Sequence, residues 1–469
     1  MYSPADWIAE AARRFPERTA LVVGERAWTF ADLDRDVESL AARLHARGLK
    51  AGDRLATVLP NGTLAATLPF AALRIGATLV PLNARLSATE VQWQLRHCYP
   101  RIVVRDASDL AESREPEAES REPRAESRQP TANTQLAIIY TSGTTGRPKG
   151  AMLTVGNFAA SAAASAAVLG VRDDDRWLAV LPLFHVGGLS ILLRSAMQGT
   201  CAVVHDRFDA AAVNRAIDHE GITIASFVPV MVERLLDARG DRPFPKRFRF
   251  ALTGGGPMPR SLLERCLRAG IPIATTYGLT EATSQVATLV PGEVARKPGA
   301  AGHPLPGIEL RIEGGNEGEI LVRGPTVMAG YLDDPEATAA AIRDGWLHTG
   351  DIGFVDDDGF LFVLDRRDDL IVTGGENVYP AEIEAVLAAH PAIAEAVVIG
   401  EPDARWGKRV VAVVRLREDA PPLAAEAMIA FCRDRLAGYK VPREIRVVGE
   451  ALPRTASGKL QRSRLRGGQ

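Results

Sequence analysis

Tyr140-Thr141-Ser142-Gly143-Thr144-Thr145-Gly146-Arg147-Pro148-Lys149-Gly150 is the stretch on which the reading of the whole chain turns. It follows an apolar run, Leu136 to Ile139, that reads as a strand. Glycines let backbone N–H groups approach an anion closely, hydroxyls add donors, and a lysine adds a mobile positive charge. That combination suits a polyphosphate. It differs from the common P-loop, in which Gly-Lys-Ser/Thr opens a helix, because Pro148 and Gly150 flank Lys149. A flexible surface loop is the alternative, but phosphate-binding groups seldom cluster so densely in one.

Working outward, 469 residues are too many for one compact core, so at least two domains are expected. A hydrophobic content of 46% is that of an ordinary globular protein. The formal net charge of −2 gives no reason to expect nucleic-acid binding or stable membrane insertion. Cys98, Cys201, Cys266 and Cys432 are widely spaced and form neither a metal-ligand pattern nor a disulfide framework. The first sixteen residues mix charge with apolar side chains, unlike a signal peptide, and no apolar run reaches membrane-span length. A cytoplasmic enzyme is the default expectation. Only seven of the 56 basic residues are lysine, and Lys149, Lys408, Lys440 and Lys459 all lie in motif-like surroundings. Lysine is a compact point charge that arginine does not replace freely at a phosphate.

Upstream, Leu33, Val37, Leu40 and Leu44 recur on one helix face behind a cap-like Asp32. Arg54 to Leu59 reads as a strand, Leu64 to Arg74 as a helix and Ala77 to Pro81 as a strand, an α/β alternation. The pattern lapses between Arg105 and Ala137. Ala111 to Thr131 is three copies of a seven-residue unit, AESREPE, AESREPR and AESRQPT. A proline in each copy and the lack of an apolar seam exclude a coiled coil and predict a disordered linker.

Downstream, Pro182-Leu183-Phe184-His185-Val186-Gly187-Gly188-Leu189 closes a strand begun at Trp177, with a helix beyond it. His185 there is either simply packed or part of a site. Thr253-Gly254-Gly255-Gly256-Pro257 and Thr276-Tyr277-Gly278-Leu279-Thr280-Glu281 each follow a strand-like run. Loops at strand C-termini of a parallel sheet are where ligands bind. The glycines permit close approach of a flat ring, Tyr277 can stack on it, and the Glu281 carboxylate can hold magnesium. Asp351, in Gly345-Trp346-Leu347-His348-Thr349-Gly350-Asp351, offers two acceptors that fit two ribose hydroxyls. The charged run Asp365-Arg366-Arg367-Asp368-Asp369 reads as a domain junction. Gly374-Gly375-Glu376-Asn377-Val378-Tyr379-Pro380 follows it, and Pro453-Arg454-Thr455-Ala456-Ser457-Gly458-Lys459-Leu460 places a lysine in a late loop.

Taken in this order, these motifs resemble the adenylate-forming superfamily of acyl- and aryl-CoA synthetases, adenylation domains and firefly-type luciferases. The resemblance covers nearly the whole chain except the repeat. It implies an α/β fold with a large N-terminal domain of layered sheets and helices over 1–365, carrying the 105–135 linker. A small mobile α+β C-terminal domain over 366–469 would complete it. It also implies a two-step reaction. A carboxylate attacks the α-phosphate of ATP, and a thiol, coenzyme A, then displaces AMP from the acyl-adenylate. Lys149, Lys459, Glu281 and His185 would be the catalytic set, with Mg²⁺ held by Glu281 and Thr144. Thr141, Ser142, Gly143, Thr144, Thr145, Gly146, Gly254, Gly255, Gly256, Tyr277, Gly278, Thr280, Asp351 and Arg366 would bind nucleotide. Gly374 and Gly375 would arrive for the second step, by rotation about Asp368. A homodimer is compatible with the resemblance.

His185 to Gly199 and Thr280 to Leu289 further resemble the o-succinylbenzoate–CoA ligases of menaquinone biosynthesis. That substrate is a dicarboxylate, so Arg194 would hold the carboxylate that does not react, with His185, Ser284 and Gln285 in the same pocket. A medium-chain fatty or aryl acid–CoA ligase is the alternative. An inactive nucleotide-binding or docking protein is the alternative of another class, opposed by intact Lys149, Glu281, Asp351, Arg366 and Lys459.

Overall fold

A computed structural model describes residues 6–86, 88–110, 130–141, 148–256, 258–366, 369, 371–373, 376–378, 380–403, 406–421, 423–436, 438–454 and 460–465. The described residues build four sheets. The widest has nine strands in the order His303–Pro304, Ser284–Leu289, Ile273–Leu279, Phe250–Thr253, Ile224–Phe227, Arg176–Ala179, Cys201–Val204, Thr19–Val23 and Arg26–Thr29. Its six middle strands run parallel, from Ile273–Leu279 to Thr19–Val23. A second sheet of six strands holds Gly330–Tyr331, Lys149–Thr154, Gln135–Thr141, Thr78–Pro81, Arg54–Thr57 and Ile102–Val104. Helices Val155–Leu169, Val186–Gln198 and Thr63–Ile75 bury apolar faces in one continuous core with side chains of both sheets. Central strands of the nine-stranded sheet are buried at every position because they are covered on both faces, as in Ile224–Phe227 and Phe250–Thr253.

The helix Phe30–Ala46 buries Leu33, Val37, Leu40 and Leu44, the predicted face. Its cap, however, is Thr29 rather than Asp32. Thr29 Oγ1 accepts from the Asp32 N–H at 3.1 Å, and the Asp32 carboxylate accepts from the Thr29 N–H at 3.3 Å. Asp32 is thus the third-position partner in a reciprocal capping pair. The four cysteines are free and buried. Among the described residues no helix is long and apolar enough to cross a membrane.

A third sheet of Glu309–Glu313, Gly318–Arg323, Trp346–Val355, Ile342–Arg343 and Leu361–Arg366 follows. The fourth comprises Glu376–Val378, Ile371–Thr373, Gly407–Leu416, Ile393–Asp403 and Glu444–Val448, with helices Pro380–Ala388 and Ala425–Arg433. Its core, including Ile371, Ile383, Val398, Val410 and Met428, is separate from the N-terminal clusters. Arg366 still pairs with Asp351 across the third sheet, so the chain remains in the N-terminal sheets through Arg366. The Ala111 to Thr131 repeat lies almost wholly outside the described residues, apart from Pro130 and Thr131.

Candidate active site

Parallel strands bring their C-terminal ends to one edge, and the predicted motifs gather there. In the nine-stranded sheet that edge carries His185, beyond Arg176–Ala179, and Gly254–Gly256, beyond Phe250–Thr253. In the six-stranded sheet it carries Thr141, at the end of Gln135–Thr141. The strands on either side of the opening stretch, Gln135–Thr141 and Lys149–Thr154, pair antiparallel. Thr141 pairs with Lys149, and Thr141 Oγ1 donates to the Lys149 carbonyl at 3.4 Å. Ser142, Gly143, Thr144, Thr145 and Gly146 lie outside the described residues.

Lys149 meets Glu281 through a residue the sequence reading missed. The short strand Gly330–Tyr331 pairs with Lys149–Thr154, setting Tyr331 opposite Ala151. Lys149 Nζ sits 5.2 Å from the centroid of the Tyr331 ring. The Tyr331 hydroxyl donates to Glu281 Oε1 at 3.0 Å. One aromatic ring thus fixes both charged groups expected at the phosphates. Its only signal in the sequence was Gly330-Tyr331 itself, a dipeptide with no local feature that marks a site.

Tyr277 and Asp351 are likewise joined: the phenol donates to Asp351 Oδ2 at 2.7 Å. Asp351 is buried. The turn before it is held by Glu319 Oε1, which accepts from the Gly350 N–H at 2.9 Å, and by Thr349 Oγ1, which accepts from the Asp351 N–H at 3.1 Å. Tyr277 and Gly278 do not lie on a loop after the strand, as their motif suggested. They belong to Ile273–Leu279, because that segment pairs antiparallel with Ser284–Leu289 through a bulge between Tyr277 and Gly278. A Cβ at position 278 would overlap the Ser284 carbonyl, which is why a glycine stands there. Gly254 donates its N–H to the Phe227 carbonyl at 3.1 Å, and Gly255 turns the chain at φ 76°.

Thr280 opens a short 3₁₀ turn to Ala282, followed by Thr283 and Ser284 at φ 52° and 85°. Two residues in this region need support from around them. Thr283 Oγ1 donates to the Thr326 carbonyl at 2.6 Å, and the Thr283 carbonyl accepts from Ser161 Oγ at 2.8 Å. The Met328 N–H donates to the Glu281 carbonyl at 2.8 Å. The turn aims Gln285 inward, where its Nε2 donates to Thr288 Oγ1 at 3.0 Å. Gln285 Oε1 is buried with no partner among the described residues.

His185 precedes the helix Val186–Gln198, with its ring 4.5 Å from that of Phe184. Its Nε2 is also buried without a partner among the described residues. Burial, assisted by the Arg85 charge, lowers its pKa to about 4, so the imidazole is neutral near pH 7. Arg194 is not brought to it. It lies nine residues along the same helix, about 13 Å at the usual rise. Its guanidinium covers the indole of Trp177 at 4.9 Å, at the start of the strand whose far end leads to His185. Arg194 is buried there among helix and sheet.

Arg366 is placed by its backbone pairing with Asp351. Asp368, Gly374, Gly375 and Lys459 lie outside the described residues; an antiparallel bridge pairs Arg454 with Leu460.

This layered α/β fold, with a nucleotide-type site at its strand ends, is that of an adenylate-forming enzyme. Residues 8–332 match the AMP-binding enzyme family and residues 382–459 the AMP-binding enzyme C-terminal domain. The chain belongs to the AMP-binding enzyme family. It is 43% identical, across 99% of both chains, to a 2-succinylbenzoate–CoA ligase of Bacillus mycoides (strain KBAB4). Among solved structures it is similar to o-succinylbenzoate CoA synthetase from Bacillus subtilis in complex with the acyl-adenylate intermediate OSB-AMP. That likeness has a TM-score of 0.91 at 38% identity, over 99% of this chain and 98% of the other. The same enzyme in complex with ATP and magnesium ion gives a TM-score of 0.90 at 38% identity, over 98% and 99%.

Proposed function

We propose that this chain is a 2-succinylbenzoate–CoA ligase, using ATP and coenzyme A and working through an acyl-adenylate. The observation that carries the nucleotide chemistry is the pairing of Lys149 with Glu281 across Tyr331, beside the bonded Tyr277 and Asp351. The acid is supported by full-length relatives of that name and by the structural likeness to an OSB-AMP complex.

In the first half-reaction a carboxylate oxygen of the acid bonds to the α-phosphorus of ATP, and the bond to the pyrophosphate oxygen breaks. Negative charge grows on the phosphoryl oxygens, and preorganised cations there lower the barrier. Lys149 serves that purpose, held by the Tyr331 ring. Asp351 takes the ribose hydroxyls and Tyr277 the flat base. The Glu281 carboxylate, hard and oxygen-based, fits a magnesium ion, and Tyr331 leaves one of its oxygens for the ion. Bound there with Thr144, the ion would neutralise phosphate charge. Lys459 approaches the same charge from the C-terminal domain. In the second half-reaction the thiol sulfur of coenzyme A bonds to the acyl carbon, AMP leaves with the carboxyl oxygen, and Gly374 and Gly375 arrive by rotation about Asp368. Neutral His185 and Gln285 line the acid pocket, and their buried unpartnered atoms support a polar ligand.

Pyrophosphate release measured with o-succinylbenzoate, benzoate and octanoate tests this reading. A clear preference for o-succinylbenzoate is expected. Equal or better use of either monocarboxylate would replace it with a general acid–CoA ligase, and no release with any acid would leave a nucleotide-binding protein.

A further inference from the structure

Asn61 stands just past the strand Arg54–Thr57 and belongs to no nucleotide or acid motif. The residue is 9% exposed, and its side chain spends nearly all its bonding capacity on the opposite sheet. Nδ2 donates to the Leu181 carbonyl at 3.0 Å and to the His205 carbonyl at 3.1 Å. Oδ1 accepts from the Leu183 N–H at 2.9 Å. These partners follow two adjacent strands, Arg176–Ala179 and Cys201–Val204. One amide therefore ties the strand ends of the six-stranded sheet to those of the nine-stranded sheet, at the edge where the ligands bind.

The segment it grips, Leu181 to Phe184, leads directly into His185. Two further contacts fix that segment. Leu183 and Phe184 line one cleft together with Leu59, Leu68, Pro69 and Leu82. On the other side Gly188 is so close that a Cβ would overlap the Pro182 carbonyl. The His185 N–H also donates to the Pro182 carbonyl at 3.1 Å. The position of the His185 ring is thus set by where Leu181 to Phe184 lies, and Asn61 supplies three of the bonds that set it.

We propose that Asn61 is a positioning residue for the acid pocket, acting through the Leu181–Phe184 segment on His185 rather than by touching substrate. This rests on the reading of the His185 neighbourhood as that pocket. An amide is required because the three partners are two acceptors and one donor, which neither a carboxylate nor an aliphatic group can satisfy together. Asn61→Asp keeps the shape and the Leu183 bond but sets a charge against two carbonyls. Asn61→Ala leaves all three partners unmatched.

Steady-state kinetics with o-succinylbenzoate and with ATP, alongside thermal melting, provide the test. In both variants KM for the acid should rise about tenfold or more, the scale of one or two buried hydrogen bonds, with KM for ATP within about twofold. Gly188→Ala displaces the same segment from its other side and should give the same split, and it decides the matter if neither Asn61 variant folds. A lower melting temperature with an unchanged KM for the acid would make Asn61 merely structural and overturn the proposal, as would equal changes in both KM values. Failure of the substrate reading is distinct, because it is read in the wild-type enzyme, which would then use benzoate or octanoate as well as o-succinylbenzoate or better, or release no pyrophosphate with any acid.

Discussion

His185 shows how a single residue carries information that its neighbours in sequence do not. Its folded pKa, about 4, lies below the ordinary value of 6.5, so as the pH falls the unfolded chain binds the proton first. Its contribution to stability is therefore complete above pH 6.5 and is lost as pH falls from 6.5 to 4, on the order of 3 kcal/mol at most. Melting curves from pH 7.5 to 4.5 should steepen below 6.5 in the wild type, and His185→Gln should remove that component. Tyr331 is the complementary case. Tyr331→Phe keeps the ring beside Lys149 and removes only the donor to Glu281. A bond to a carboxylate contributes about 1.5–3 kcal/mol. ATP–pyrophosphate exchange should fall roughly 10- to 100-fold, with a raised magnesium requirement and little change in melting. An unchanged exchange rate would show that Glu281 needs no such support. Lys149 and Glu281 were legible as candidates because each stood in a dense motif, and lysine is rare in this chain. Tyr331 was not, because its role exists only after two distant strands pair.

At the scale of the element, most helices and strands follow from the hydrophobic pattern, while their ends follow from hydrogen bonds. Thr29 caps the first long helix of the N-terminal sheet region because it, and not Asp32, has the extended backbone a cap needs. Thr29→Ala should cost about 1 kcal/mol, read as a lower urea midpoint with unchanged kinetics. The antiparallel turn from Thr280 to Ser284 is the opposite situation. Its left-handed residues are not glycine, so the pattern gave no sign of it, and Thr326 and Ser161 hold it from outside. Thr283→Ala removes one of those bonds inside the core, and a buried unmatched carbonyl costs about 1–3 kcal/mol. Because Glu281 lies in the turn and Gln285 follows it directly, both KM for the acid and the exchange rate should worsen. Loss of stability alone would confine the turn to a structural role.

For the molecule as a whole, the chemistry asks one site to serve two reactions. Lys459→Ala should depress adenylate formation by orders of magnitude. Thioester formation from supplied acyl-adenylate should survive, as single-turnover assays of each half would register. If both halves fall together, Lys459 does not act at the developing phosphate charge. Asp368→Pro fixes φ between the last strand of the N-terminal sheets and the C-terminal sheet. It should separate the two half-reactions in the same assays, and equal small effects would exclude a hinge there. Deleting Ala111 to Thr131 should leave turnover and melting nearly unchanged, since so polar a segment cannot add to a core.

Sequence alone determined the class of fold, and it supplied the candidates for the nucleotide site, because phosphate, magnesium and ribose are recognised by particular atoms and those atoms sit in short contiguous motifs. It also determined the hydrophobic faces, whose period is local. Which of those groups touch was decided only by the tertiary structure. Tyr331 joins Lys149 to Glu281 and Tyr277 joins Asp351 across separations of many residues. Arg194, nine residues from His185 in the chain, is carried by its helix to the other end of the sheet and packs on Trp177. Asn61 acquires a role only because two sheets bring their strand ends together. Spacing along a chain fixes direction within one element, and contact between elements depends on how their buried faces pack.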